Sequence, residues 1–221
     1  MLSLSVPAAS AAGALIPRPH SATRLDGRFV FTAGIPVVYA PGLEPLAEYI
    51  TEYIPLQRLD DRAWAMGPSL RLCLDATLDD EAYRLVVTPQ GVHIDGGDYG
   101  GVFNGLQTLL QLLPPEVYTG RATLPLAVDA CRIEDTPRFH YRGMMLDVVR
   151  TWMDADRVKR HIDRMSHLKI NKLHLLLSND EGWRLEIKSH PELTEIGAWR
   201  GGDSPVMPVY GKWNEKYGGF Y

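Results

Sequence analysis

The chain has 221 residues, 45% of them hydrophobic and 23% charged, and a formal net charge of −4 at pH 7. This is enough chain for one large domain or two modest ones, with the composition of an ordinary soluble globular protein. The absence of a basic stripe argues against nucleic acid as a partner, and no run approaches the roughly 20 apolar residues that span a bilayer.

Residues 1–14 read as an N-terminal tail. They are rich in Ala and Ser, lack a Lys/Arg start, and their apolar residues are broken by Ser3, Ser5, Pro7 and Ser10. This is a weak match to a secretory signal. A cytoplasmic location is favoured, with periplasmic or secreted as the alternatives.

Residues 15–130 read as a small α+β domain. Strand-forming runs occur at Arg28–Phe31, Pro36–Tyr39, Ser69–Leu74, Tyr83–Thr88 and Gly91–Asp95, punctuated by Gly, Pro and Asp. The short Pro89-Gln90 link predicts a hairpin between the last two. Helices are predicted over Leu43–Tyr53, stopped by Pro55, and over Gly101–Leu113, stopped by Pro114-Pro115. In the second, Val102, Leu106, Leu109, Leu110 and Leu113 share a core face. The segment Asp129–His140 reads as an inter-domain connection. Cys73 and Cys131 are far apart and lack metal-ligand spacing, so two buried free thiols are expected.

Residues 137–221 change to a strand, helix, strand pattern. Gly143–Val149 is a nearly continuous apolar run, as expected of a parallel strand buried on both faces. Asp154 or Asp156 can cap the next helix, whose apolar stripe is Val158, Ile162, Met165 and Leu168. Lys172–Leu177 is the second strand, and a right-handed crossover sets the two parallel. Ligands in such sheets bind at the C-terminal strand ends. Arg150 and the Asn179-Asp180-Glu181 cluster therefore fall on one rim.

Taken together, these phrases resemble family 20 glycoside hydrolases, the β-N-acetylhexosaminidases. The resemblance is carried by Ile16-Pro17-Arg18-Pro19, Gly105-Leu106-Gln107-Thr108, Asp135-Thr136-Pro137-Arg138-Phe139, and Arg142-Gly143 with Leu146-Asp147-Val148-Val149-Arg150. Asn171-Lys172-Leu173-His174, Glu181-Gly182-Trp183-Arg184 and Pro191-Glu192-Leu193-Thr194-Glu195-Ile196-Gly197 complete it. It implies an α/β fold: a small N-terminal α+β hexosaminidase-type domain, then the first βαβ portion of a TIM (β/α)₈ barrel. A whole barrel takes about 250 residues, so the catalytic domain is expected to be incomplete and the chain to be an N-terminal fragment.

The resemblance further implies hydrolysis of terminal β-linked GlcNAc or GalNAc with retention, using the substrate's own acetamido group as nucleophile. No metal or organic cofactor is implied. The implied partners are N-acetylhexosamine glycans such as chitin oligosaccharides, glycoconjugates or peptidoglycan fragments. The family's adjacent Asp-Glu pair after the fourth strand has no counterpart here, so no catalytic residue is assigned and the chain alone is expected to be inactive.

Arg150 matches an Arg that binds sugar hydroxyls in the family; the alternative is an ion pair with Asp147 or Asp180 that ties the rim together. Asn179 and Asp180 stand where the family has an Asp-Asp pair, and are candidates for active-site support. Asn179 carries no charge and acts less strongly on a neighbour's pKa than a carboxylate. His174 matches a family His, but its usual partner two residues on is Leu176, so His174 is expected to be a satisfied core residue. His161, His167 and His174 do not make a metal site. Glu181 is expected to be a solvated loop side chain. Trp183 and Trp199 either stack on sugar faces or pack under the loop. A non-catalytic carbohydrate-binding or assembly module is the alternative function.

Overall fold

A computed structural model describes residues 15–60, 67–204 and 214–221; the tail at 1–14 lies outside them. Two units emerge, one running to His140 and the other from Tyr141 to Tyr221.

The first unit is built on period-two alternation. Its strands are β1 (Ser21–Phe31), β2 (Pro36–Tyr39), β3 (Gln57–Asp60), β4 (Leu70–Leu74), β5 (Tyr83–Thr88), β6 (Gly91–Gly96) and β7 (Leu126–Asp135). They form one sheet in the order β1-β7-β5-β6-β4-β2-β3. β5 and β6 pair antiparallel as the expected hairpin, while β6-β4-β2-β3 run parallel. Leu70, Leu72, Leu85, Val87, Val92 and Ile94 are buried on one face, where the helices α1 (Glu44–Tyr53) and α2 (Tyr99–Leu112) contribute Leu46, Ile50, Val102, Leu106, Leu109 and Leu110. Burying such side chains is worth about 1.5–3 kcal/mol each, which makes this the principal core.

Asp98 caps α2, its carboxylate accepting from Gly101 N at 2.7 Å. Gly101 lets the helix start lie against the sheet: a Cβ there would sit 2.2 Å from the Ala82 carbonyl oxygen. Helix α1 ends where Pro55 requires, with Ile54 extended as its C-cap.

Several expectations need correction. The segment from Asp129 is strand up to Asp135, not connection: β7 lies between β1 and β5, burying Ala130, Cys131 and Ile133 while Asp129, Arg132 and Glu134 face away. β1 begins seven residues earlier than its apolar signal, because an exposed edge strand needs no alternation; its register shifts between Arg24 and Arg28, where Gly27 supplies φ +93. β3 carried no apolar signal. Of the two cysteines, Cys131 is buried and Cys73 only half-buried.

The second unit begins with β8 (Gly143–Asp147), α3 (Ala155–His167) and β9 (Lys172–Leu176). β8 and β9 are parallel, Asp147 opposite Leu176. Asp154 caps α3, accepting from Arg157 N at 2.7 Å. Leu146, Val148 and Val158 form a small core with Leu173, Leu175 and Leu177. β8 is not buried on both faces: Met144 is 39% and Met145 55% exposed, since the described sheet has only two strands. His174 is exposed rather than a core residue, because alternation sends it opposite to Leu173 and Leu175.

Beyond β9 lie two two-stranded ribbons: β10 (Ser178–Asn179) with β11 (Gly182–Trp183), and β12 (Trp199–Arg200) with β13 (Tyr217–Gly218). No helix among the described residues is long and apolar enough to cross a membrane.

Candidate functional site

Asp147, the last residue of β8, organises the rim. One carboxylate oxygen accepts from Val149 N at 2.9 Å and Arg150 N at 3.0 Å, closing a turn on the strand end. The other accepts from the Arg150 guanidinium at 2.9 Å. Partial burial pushes the Asp147 pKa up, but the backbone N–H groups of Arg150 and Val149 and the Arg150 charge outweigh it, leaving the carboxyl below its ordinary value.

Arg150 also reaches Asp180 at 3.5 Å, and its side chain remains 48% exposed. The rim-tying ion pairs therefore exist, and they leave the guanidinium open to solvent on one side. Asn179 bridges the strand ends: its side-chain NH₂ donates to Asp147 at 3.5 Å, and its carbonyl accepts from Glu181 N at 2.7 Å, fixing the β10–β11 turn. Arg150 and Asn179 thus meet at Asp147, and Asp180 joins them through Arg150.

Glu181 is not solvated. It is 2% exposed and lies 3.7 Å from Arg200, itself 3% exposed. The β10–β11 turn directs Glu181 inward, where a buried carboxylate needs a cationic partner. Gly182, at φ +150, permits this approach, since a Cβ there would lie 2.7 Å from Arg200 Nη2. Glu181 therefore lies beneath the surface of the loop, beside Arg200.

Arg184 is fully buried. It donates to the carbonyls of Val149 at 2.7 Å and Gly219 at 3.1 Å, and to that of Ala198. Its guanidinium lies 5.4 Å from the centre of the Trp152 ring. Burial pulls the Arg184 pKa down, with the nearby Arg200 charge adding to this. The Trp152 ring packs tilted against Tyr221, centroids 4.9 Å apart, and its backbone N–H donates to the Tyr217 hydroxyl. Arg184 thereby ties the backbone just before Arg150 to Ala198, ahead of β12, and to Gly219, just past β13. Arg184 closes the matching phrase Glu181-Gly182-Trp183-Arg184, which gave no sign of its buried partners, and Arg200 carried no positional signal in the sequence. Trp183 donates to the Leu185 carbonyl at 2.5 Å, and Trp199 lies under Lys216 at 5.2 Å; both are half-buried.

Residues 139–221 match the model of the glycosyl hydrolase family 20 catalytic domain, and residues 12–136 match that of its domain 2. A beta-hexosaminidase of Vibrio furnissii is 38% identical over 221 residues, covering 98% of this chain and 35% of that protein. The crystal structure of a GH20 exo beta-N-acetylglucosaminidase from Vibrio harveyi in complex with N-acetylglucosamine superposes with a TM-score of 0.82 at 36% identity, covering 96% of this chain and 33% of that one. A mutant Streptomyces plicatus beta-hexosaminidase in complex with product GlcNAc gives 0.79 at 34% identity, covering 96% of this chain and 42% of that one. The chain thus spans about a third of the length of the curated relative.

Proposed function

The chain belongs to glycosyl hydrolase family 20, and from that premise we propose that it supplies part of the sugar-binding rim of a β-N-acetylhexosaminidase. The reaction is hydrolysis of terminal β-linked GlcNAc or GalNAc with retention, in which the substrate's acetamido oxygen replaces an enzyme nucleophile. The natural substrates are glycans ending in N-acetylhexosamine.

The observation that carries this reading is Arg150. It stands at the C-terminal end of a parallel strand, oriented by Asp147 at 2.9 Å and Asp180 at 3.5 Å, and is still half exposed. A guanidinium fixed on one side and open on the other offers a rigid fork of donors to sugar hydroxyls. Asn179 and Asp180 support it. The general acid–base Glu and the Asp that orients the acetamido group have no match among the 221 residues, so turnover requires residues from outside this sequence.

The test is to read the gene past the Tyr221 codon and to assay the encoded protein on a chromogenic N-acetylglucosaminide. An in-frame continuation bearing an adjacent Asp-Glu pair, with activity that drops in Arg150→Ala, supports the proposal. A stop codon, together with GlcNAc binding that Arg150→Ala abolishes, leaves the non-catalytic carbohydrate-binding module. Indifference of both activity and binding to Arg150→Ala removes the rim from sugar recognition altogether.

A further inference from the structure

The solvent-facing side of the first unit's sheet carries Cys73, His93 and Asp95 within one small cluster. One potential ligand atom from each lies within 4.8 Å of the other two. The sheet produces this cluster directly. Along β6, Val92 and Ile94 point into the core, so His93 and Asp95 emerge together on the opposite face. Along β4, Leu70 and Leu72 point inward, so Cys73 emerges beside them. The parallel register then sets Cys73 opposite Asp95. His93 Nε2 and Asp95 Oδ1 are already 3.1 Å apart.

We propose that Cys73, His93 and Asp95 form a binding site for a divalent ion of the zinc class. A thiolate, an imidazole and a carboxylate are the donors zinc prefers, and three protein ligands leave the fourth tetrahedral position to water. Metal–ligand bonds of about 2.0–2.3 Å require neighbouring ligand atoms roughly 3.3–3.8 Å apart. The His–Asp distance of 3.1 Å falls about 0.2 Å short of this range, so that pair needs to open slightly, and the thiol needs to close by at most about 1 Å. Cys73 is half-buried and the His93 side chain 46% exposed, so rotation about χ angles is sufficient.

The surroundings favour the site. Arg84 lies 3.9 Å from Asp95 Oδ2, which orients the carboxylate so that Oδ1 faces His93, as outer-shell partners do in metal sites. Arg84 is also held by Asp75 at 3.5 Å and Glu134 at 3.2 Å, so committing Asp95 to an ion leaves Arg84 compensated. Arg71, opposite His93 in the register, donates to Ser69 Oγ at 3.1 Å. Beside the cluster is a cleft of about 300 Å³ lined by Val38, Tyr39, Arg71, Cys73 and His93, giving an ion access from solvent. On binding, the Cys73 thiol proton passes to solvent and the sulfur lone pair forms the bond.

Cobalt(II) is the probe. The 221-residue chain titrated with Co²⁺ is expected to bind one equivalent, with a thiolate-to-cobalt charge-transfer band in the near ultraviolet that Zn²⁺ then displaces. Cys73→Ser should delete the band and His93→Ala should weaken binding at least tenfold. Cys131→Ser should leave both unchanged, because the Cys131 thiol is buried and its pKa pushed up to about 11. Zn²⁺ should raise the Tm of the wild type and not of Cys73→Ser, since an ion that binds only the folded state stabilises it. Circular dichroism confirms that each variant is folded. The absence of the band in folded wild type, or its survival in folded Cys73→Ser, overturns the proposal.

Discussion

Glu181 and Arg200 face each other at 3.7 Å, both essentially removed from solvent, and join the β10–β11 turn to β12. Breaking such a pair strands a charge in a medium that cannot solvate it, at about 3–5 kcal/mol, whereas replacing both partners by apolar groups is often near neutral. Glu181→Ala should therefore lower unfolding free energy by that amount, and Glu181→Leu combined with Arg200→Met should recover most of it. Urea unfolding followed by tryptophan fluorescence suits this measurement, because four of the five tryptophans lie beyond residue 150. A cost below about 1 kcal/mol for Glu181→Ala would mean that water reaches the pair.

The Asp147 carboxyl gives the rim an acid-sensitive limb. Its folded pKa lies below the ordinary value, so its contribution is complete above about pH 3.9 and fades as pH falls toward the folded pKa. Asp147→Asn should cost on the order of 1–3 kcal/mol at pH 7 by weakening the bonds from Val149 N, Arg150 N and the guanidinium. The gap between variant and wild type should narrow below pH 4. Unfolding curves at pH 7 and pH 3 provide the check; a gap of constant size would assign the effect to shape rather than charge.

Where apolar residues alternated, the sequence revealed the structure. The β5–β6 hairpin, both long helices of the first unit and the β8-α3-β9 order are all legible, because each buries a face against a core. Legibility failed where pairing alone makes the strand: β1 begins in the polar run Ser21 to Arg24, and β7 carries Asp129, Arg132 and Glu134 on its outer face. At the rim, Arg150, Asn179 and Asp180 could be placed together from strand ends alone. The burial of Glu181 could not, because Arg200 lies 19 residues away across a turn that only the folded chain closes. The cluster of Cys73 with His93 depends likewise on the β4–β6 register, which no local spacing encodes.

The two units should differ in resistance to proteases. The first has a continuous core under a seven-stranded sheet. The second has a core of a few residues and exposes Met145, Ile162, Leu168, Leu185 and Ile196 at 43–55%. Apolar surface and unpaired strand edges promote association and local opening. Limited proteolysis of this chain should leave a core ending near residues 136–141, and concentrated samples should associate through the second unit. Mass spectrometry of the surviving fragment decides it, and cleavage concentrated within β4 to β7 would reverse the assignment.

Asn179 and Arg150 separate two roles on one rim. The Asn179 NH₂ group is 3.5 Å from an Asp147 carboxylate oxygen, so Asn179→Asp sets a second negative charge beside the first. Like charges at that range resist joint ionisation, so the Asp147 carboxyl should move upward, as followed by carbon-detected NMR titration. In an enzyme that contains this segment, the same change should shift the acid side of the pH–rate profile. Arg150→Ala should act differently. It removes charge-assisted donors worth about 1.5–3 kcal/mol each, and thus lowers kcat/KM roughly 10- to 150-fold, mainly through KM if Arg150 serves substrate capture. An unchanged kcat/KM in Arg150→Ala, beside an unmoved pH profile in Asn179→Asp, would place sugar binding away from the ends of β8 and β9.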